Sequence, residues 1–185
     1  FEVKDNCYAP QNYDFKFRGP MTLRNALAQS INIPAIKVLY LAGMQNVLNT
    51  AKSMGITTLT KPATHYGFSL VLGGGEVSLL ELTGAYGTIA NQGVRNPITG
   101  ILEIKDAQGT VLSKFEQNEI RAVDSQAARL TTDVLSDNVA RAPSYGVHSF
   151  LNFGDIDVAI ECLILALDLR VHQQVEGEIL FAVAR

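Results

Sequence analysis

The sequence predicts an α+β fold that is mostly helical, with one β-hairpin and a candidate strand near the C-terminal end. Three observations predict it. Apolar residues recur at helical spacing in five segments punctuated by proline, glycine or capping residues, three between Thr22 and Gly55, one from Ser78 to Gly93 and one from Asp124 to Ala140. One stretch, ILEIKDAQGTVL, alternates strictly and carries turn residues at its centre. The length of 185 residues, with 47% hydrophobic and 18% charged content, fits one domain or a piece of a larger one and suffices to bury a core.

Residues 1–20, rich in Pro, Asn, Asp, Tyr and Gly, read as an extended lead-in. Thr22, after Pro20, is then a plausible N-cap for TLRNALAQS, which places Leu23, Ala26, Leu27 and Ser30 on one helical face. A residue before proline is disfavoured in the helical region, so Ile33 should end that helix or turn it sharply. Pro34 suits the first turn of a second helix, about 34–42, with Ala35, Val38, Leu39 and Ala42 as its apolar face and Gly43 as its stop. A third helix, about 44–54, carries Met44, Val47, Leu48 and Ala51 and stops at Gly55.

Further along, Ser78 and Glu81 have the spacing of a capping box, and Leu79, Leu82, Thr83 and Tyr86 continue a helical face until Gly93. The glycines Gly73 to Gly75 match neither phosphate-loop spacing and have no lysine after them; they read as a tight turn with close backbone approach. Residues 101–112 read as a hairpin turning at DAQG. VDSQAARLTTDVLSDNVA reads as one helix capped by Asp124 or Ser125, with Ala128, Thr131, Leu135 and Val139 inward, and RAPSYG reads as loop. From residue 156 the text is apolar and fits strand or buried helix equally.

Composition excludes several functions. A net charge of -3 without a lysine or arginine cluster gives no footprint for nucleic acid. Cys7 and Cys162 lack CxxC spacing, and His65, His148 and His172 lack metal-binding companions, so neither zinc nor a redox pair is indicated. Cys162, in an apolar run without a cationic neighbour, reads as an inert thiol. No basic segment followed by an apolar one marks a signal peptide, and the opening on Phe rather than Met is what an excised or incomplete piece would show. The longest apolar stretch, residues 156–169, is interrupted by acids and too short to span a bilayer.

The candidate chemistry lies in AQSINIPAIKV. Ser30 and Asn32 could be a helix end and the cap of the next helix. They could also project a hydroxyl and a carboxamide into one cleft, a pair suited to acyl transfer in which the hydroxyl relays a proton and the amide holds a peptide carbonyl or orients a lysine.

The string YAPQNYDFKFRGPMTLRNALAQSINIPAIKVLYLAG, then SLVLGGGEVSLLELTGAYGTIANQG, then LSDNVARAP, resembles in unchanged order the transpeptidase domain of bifunctional, class A penicillin-binding proteins, from about Tyr8 to about Ile160. The resemblance implies a serine β-lactamase/transpeptidase-like fold, of which residues 1–160 would hold an incomplete share, mostly the helical part plus a hairpin, while residues 161–185 carry no family likeness. It implies a D,D-transpeptidase that cross-links peptidoglycan stem peptides through a serine acyl-enzyme and is acylated by β-lactam antibiotics, with no metal or organic cofactor. The parent would be membrane-anchored, its domain on the outer face of the cytoplasmic membrane.

That family uses SxxK, SxN and KTG. Here SxN is Ser30 to Asn32, the two residues the resemblance assigns as catalytic. No SxxK occurs in the chain, and Glu161, Cys162 and Leu163 stand where Lys-Thr-Gly would follow. A loop serine without its lysine is a weak nucleophile at neutral pH, so the chain alone should form no acyl-enzyme. The alternative is a non-catalytic module that binds stem peptide or penicillin. The abrupt end of the resemblance at Glu161 fits a truncated or frame-shifted reading better than gradual divergence. Helices that lack their sheet should also expose apolar surface and give poor autonomous stability.

Overall fold

Helical periodicity after residue 20 becomes three consecutive helices: α1 Leu23–Ala28, α2 Asn32–Ala42 and α3 Met44–Ser53. The computed structural model describes residues 2–3, 6–116 and 118–149; the apolar run from 156, with Cys162 and His172, lies outside the described residues. Strands β1 Glu2–Val3 and β2 Asn6–Cys7 pair within the lead-in. Thr22 caps α1 as its residue type predicts, its hydroxyl accepting the Asn25 N–H.

Two expectations for this region fail. Helix α2 begins at Asn32, so Ile33 is helical despite preceding Pro34. The reason is tertiary, because the Ile33 N–H donates to Asn12 Oδ1 at 3.1 Å, and a carboxamide from 21 residues away fixes the backbone that local sterics disfavour. Asn32 is not a cap; Ile31 stands at that position and offers no side-chain bond. The buried faces also differ. Ile36 and Leu39 are buried on α2 while Val38 is exposed, and on α1 the buried residues are Ala26 and Ala28 rather than Leu23 and Leu27. In α3 the predicted stripe Met44, Val47, Leu48 and Ala51 is the half-buried side.

Beyond α3, a 3₁₀ turn at Phe68–Leu72 packs on α2, its Phe68 ring meeting Tyr8 and Tyr40 at centroid distances of 6.0 Å each. The three glycines follow it. A Cβ on Gly74 would stand 2.8 Å from the Ser69 carbonyl oxygen and one on Gly75 would stand 2.6 Å from Leu70 Cδ1, the close approach the sequence suggested. Helix α4, Leu79–Ala90, starts at Ser78, whose hydroxyl accepts the Glu81 N–H. Only half of the capping box forms, since the Glu81 carboxylate turns away to Thr57 and Thr58.

After α4 the chain forms β3 Val94–Arg95, the hairpin β4 Glu103–Lys105 with β5 Val111–Lys114, and β6 Ile120–Arg121 returning antiparallel to β3. The hairpin turn is set by Asp106, whose Oδ1 accepts the N–H groups of Gln108 and Thr110. The single long helix expected over 123–140 is two. Helix α5, Ser125–Leu135, is capped by Asp124, and α6, Asn138–Tyr145, by Asp137, so RAPSYG is largely helical and not loop. Asp137 Oδ1 accepting the Ala140 N–H gives the chain a second start where periodicity alone shows continuity. Val139 is consequently outside, 85% exposed.

Among the described residues the core is rich in alanine. Ala26, Ala28, Ile31, Ile36, Leu39, Ala85 and Ala128 are buried, and α1 packs on α2, α5 and α6 while α4 packs on α5. Tyr40, Leu41, Leu130 and Val147 are among the large apolar side chains that remain exposed. No helix among the described residues is long and apolar enough to cross a membrane.

Candidate functional site

Helix α1 ends in a Schellman turn. The Ser30 N–H donates to the Leu27 carbonyl and the Ile31 N–H to the Ala26 carbonyl, each at 3.0 Å, the pattern in which the residue after the cap takes a left-handed conformation. That residue is usually glycine. Here it is Ser30, at φ 55°, a backbone state that costs a non-glycine residue about 1 kcal/mol or more. Ser30 therefore does not lie on the α1 face, as heptad counting suggests; it stands beyond the helix, exposed, with its hydroxyl unpartnered among the described residues.

Strain of this kind persists only where neighbours over-determine it. Ile31 and Ala26 are both buried, the two positions between which such a turn makes its apolar contact. On one side, Ser144 Oγ of α6 donates to the Gln29 carbonyl at 3.1 Å. On the other, Asn32 Nδ2 donates to the Gln11 carbonyl at 3.1 Å, and buried Asn12 accepts the Ile33 N–H while donating to the Lys16 carbonyl at 2.7 Å. Farther back on α1, Arg24 Nη1 reaches Asp137 at 2.9 Å and Nη2 pairs with Asp133, tying the helix to the α5–α6 junction. The Asp137 carboxyl lies below its ordinary value, chiefly because it accepts the Ala140 N–H and secondarily because of Arg24.

The turn thus brings Ser30 and Asn32 onto one short segment but treats them differently. Ser30 is displayed, and Asn32 is half-buried with its amide nitrogen engaged by the lead-in. An exposed hydroxyl on a constrained backbone, two residues from an anchored carboxamide, can pass a proton while the carboxamide holds a carbonyl or an amine. No lysine or histidine hydrogen-bonds Ser30 among the described residues, so nothing there raises its nucleophilicity. Of the other candidates, His65 stacks edge-on against Tyr66 and His148 is exposed. No group of three or more His, Cys, Asp or Glu among the described residues could hold a metal ion.

Gln11, Asn12 and Ser144 complete the turn and were not legible as site residues. The first two lie in a lead-in that reads as loop, and a cap supplied from 21 residues away leaves no local signal. Ser144 sits in RAPSYG, where Pro143 argues against the helix that carries it.

Residues 2–153 match the family described as penicillin binding protein transpeptidase domain. Among curated relatives, penicillin-binding protein 1B of Haemophilus influenzae is 29% identical over 152 residues, covering 82% of this chain and 19% of that protein. Penicillin-binding protein 1A of Aquifex aeolicus is 37% identical over 132 residues, covering 71% of this chain and 18% of that protein. The chain spans less than a fifth of the length of these relatives. Among solved structures, penicillin-binding protein 1A of Haemophilus influenzae aligns with a TM-score of 0.65 at 21% identity, covering 82% of this chain and 27% of that one. Penicillin-binding protein A of M. tuberculosis, solved as an imipenem acyl-enzyme complex, aligns with a TM-score of 0.62 at 18% identity, covering 77% and 37%. These likenesses establish the transpeptidase fold, of which the described residues form a partial, mixed helical and sheet portion.

Proposed function

Because the chain belongs to the penicillin binding protein transpeptidase family, we propose that it carries the SxN element of a peptidoglycan D,D-transpeptidase, with Ser30 relaying a proton and Asn32 holding a peptide carbonyl or orienting a lysine. The observation that supports this reading is the left-handed Ser30, an exposed hydroxyl kept in a costly conformation two residues from Asn32 and tied down from both sides. A turn with no task would be built more cheaply with glycine. In the intact enzyme a serine outside this chain attacks the D-Ala-D-Ala end of a stem peptide, releases the terminal D-alanine and passes the acyl group to a neighbouring amine. β-Lactams enter the same cleft. The parent protein would work at the outer face of the cytoplasmic membrane, anchored there.

Since the chain contains no SxxK and no KTG, it forms no acyl-enzyme by itself. The test is intact mass after incubation with a labelled penicillin, on wild type and Ser30→Ala in parallel. No adduct on either is the expected result. A stoichiometric adduct lost only in Ser30→Ala would overturn the assignment and make Ser30 the nucleophile.

A second reading, a non-catalytic module that binds stem peptide, has one observation in its favour: the SxN turn is fully built in a chain without the nucleophile's motif. It requires saturable stem-peptide binding that disappears in Asn32→Ala, and absence of binding at about 1 mM peptide, the weak end of useful affinity, would eliminate it.

A further inference from the structure

The hairpin of β4 and β5 is exposed along both strands, and among the described residues neither strand pairs with anything but the other. Its two outer edges are not equivalent. Ile104 pairs with Ser113 and Lys105 with Val111, so Leu112 is an extra residue in β5 while β4 runs regular through the irregularity. A bulge of this kind spoils the β5 edge as a template for a further strand and leaves the β4 edge usable. The Phe115 N–H donates to the Leu102 carbonyl at 2.9 Å and the Asp106 N–H to the Thr110 carbonyl at 3.0 Å. Antiparallel alternation therefore turns the peptide groups of Leu102 and Ile104 toward β5 and those of Glu103 and Lys105 outward.

The side chains on this edge alternate in a way that matters. Glu103 and Lys105, two apart on a strand, share one face and form an ion pair at 2.6 Å. Ile104 lies on the other face and is 45% exposed. Read antiparallel against itself, the order Glu, Ile, Lys is self-complementary. The β5 order Val, Leu, Ser, Lys is not.

We propose that the β4 edge is an interface for a second copy of this chain, the two β4 strands pairing antiparallel about a two-fold axis at Ile104. In that register Glu103 of each copy faces Lys105 of the other, and these outward-pointing residues exchange their N–H···O bonds. The two Ile104 side chains meet as a non-hydrogen-bonded pair, the closer kind, and cover each other. Each carboxylate then lies between two ammonium groups, its own Lys105 and that of the second copy. Registers centred on Glu103 or on Lys105 would set like charges opposite, so charge selects the one centred on Ile104. The contact is isologous, and it closes as a dimer. A ladder this short covers less than a standard interface, so association is weak, with a Kd of about 0.1–1 mM. The edge shares no residue with the Ser30 turn, and the proposal stands whether or not the transpeptidase reading does.

The test is sedimentation equilibrium of the full chain and its charge variants at up to about 1 mM, with amide hydrogen exchange at low and high concentration. The wild type should dimerise. Its Glu103 and Lys105 amides should gain protection with concentration, whereas the Lys114 amide, on the outer edge of β5, should not. Glu103→Lys and Lys105→Glu should each weaken association by about tenfold or more, because every cross-strand charge pair becomes like-charged. Mixed in equal amounts, these two variants should associate again, one edge carrying only lysine and the other only glutamate. Glu103→Lys combined with Lys105→Glu should restore the wild-type constant to within about threefold. A chain that stays monomeric at about 1 mM would overturn the proposal. So would a dimer indifferent to both single substitutions, which would place the contact on the exposed apolar side chains of the helices.

Discussion

Replacing Asn12 with alanine tests whether the lead-in clamps the Ser30 turn. Asn12 is 6% exposed, and its carboxamide makes two bonds, accepting from Ile33 N–H and donating to the Lys16 carbonyl. The first is in effect a helix cap supplied in trans, worth about 1 kcal/mol. The second adds about 1 kcal/mol net, since the exposed Lys16 carbonyl recovers part of its bond from water. Their loss, about 2 kcal/mol, corresponds to roughly a 30-fold change in an opening equilibrium. Native-state hydrogen exchange at the Ile33 amide reads that equilibrium directly. Exchange should accelerate by about that factor, and the Asn32 side-chain amide resonances should move toward free values, because Gln11 loses its anchor along with Asn12. An Ile33 amide that keeps its protection to within about twofold would refute the clamp, leaving the turn's geometry to the Schellman bonds alone.

Other perturbations have definite signs. Ser30→Gly should stabilise the fold by about 0.5–1 kcal/mol and so raise the thermal midpoint, because relief of the left-handed strain exceeds the added chain entropy, whereas Ser30→Val should lower it. Gly93→Ala should destabilise by about 2 kcal/mol or more in denaturant titration. Gly93 has φ 86°, and its new methyl would stand 2.2 Å from the Val123 carbonyl oxygen, so backbone must move. Glu81 should govern part of the acid limb of stability. The Thr57 and Thr58 hydroxyls, assisted by their N–H groups, lower its pKa from 4.5 to about 2. The contribution of the carboxylate is therefore complete above pH 4.5 and is lost as pH falls toward 2. Unfolding midpoints across that window should flatten in Glu81→Gln; an unchanged acid limb would count against the threonine cradle.

Local chemistry made the elements legible and tertiary contacts moved their edges. Thr22, Ser78 and Asp124 were readable as caps because a cap acts within three residues, and the DAQG turn because Asp106 bonds its own neighbours. Ile33 was misread because its amide partner is distant in sequence, and α6 because unbroken apolar periodicity over 123–140 hid the new start that the Asp137 cap makes. The two-residue ladder of β3 with β6 gave no periodic signal at all. At the site, SIN was legible as a motif, and its neighbours were not. Whether Ser30 ended a helix or stood beyond it could not be decided by counting along α1, since i+7 spacing places it on the stripe while the Schellman turn removes it.

Tyr40, Leu41, Leu130 and Val147 present hydrocarbon to solvent, and the core among the described residues is built largely from alanine. Among the described residues, the hydrogen bonds that constrain the Ser30 turn come from the lead-in, α1 and α6. None of them depends on β3 to β6. The geometry of the Ser30–Asn32 pair is thus set by the helical portion and the lead-in, and no lysine or histidine among the described residues hydrogen-bonds the Ser30 hydroxyl to activate it. The strained serine is therefore held independently of the β3–β6 segment, which can move without disturbing it.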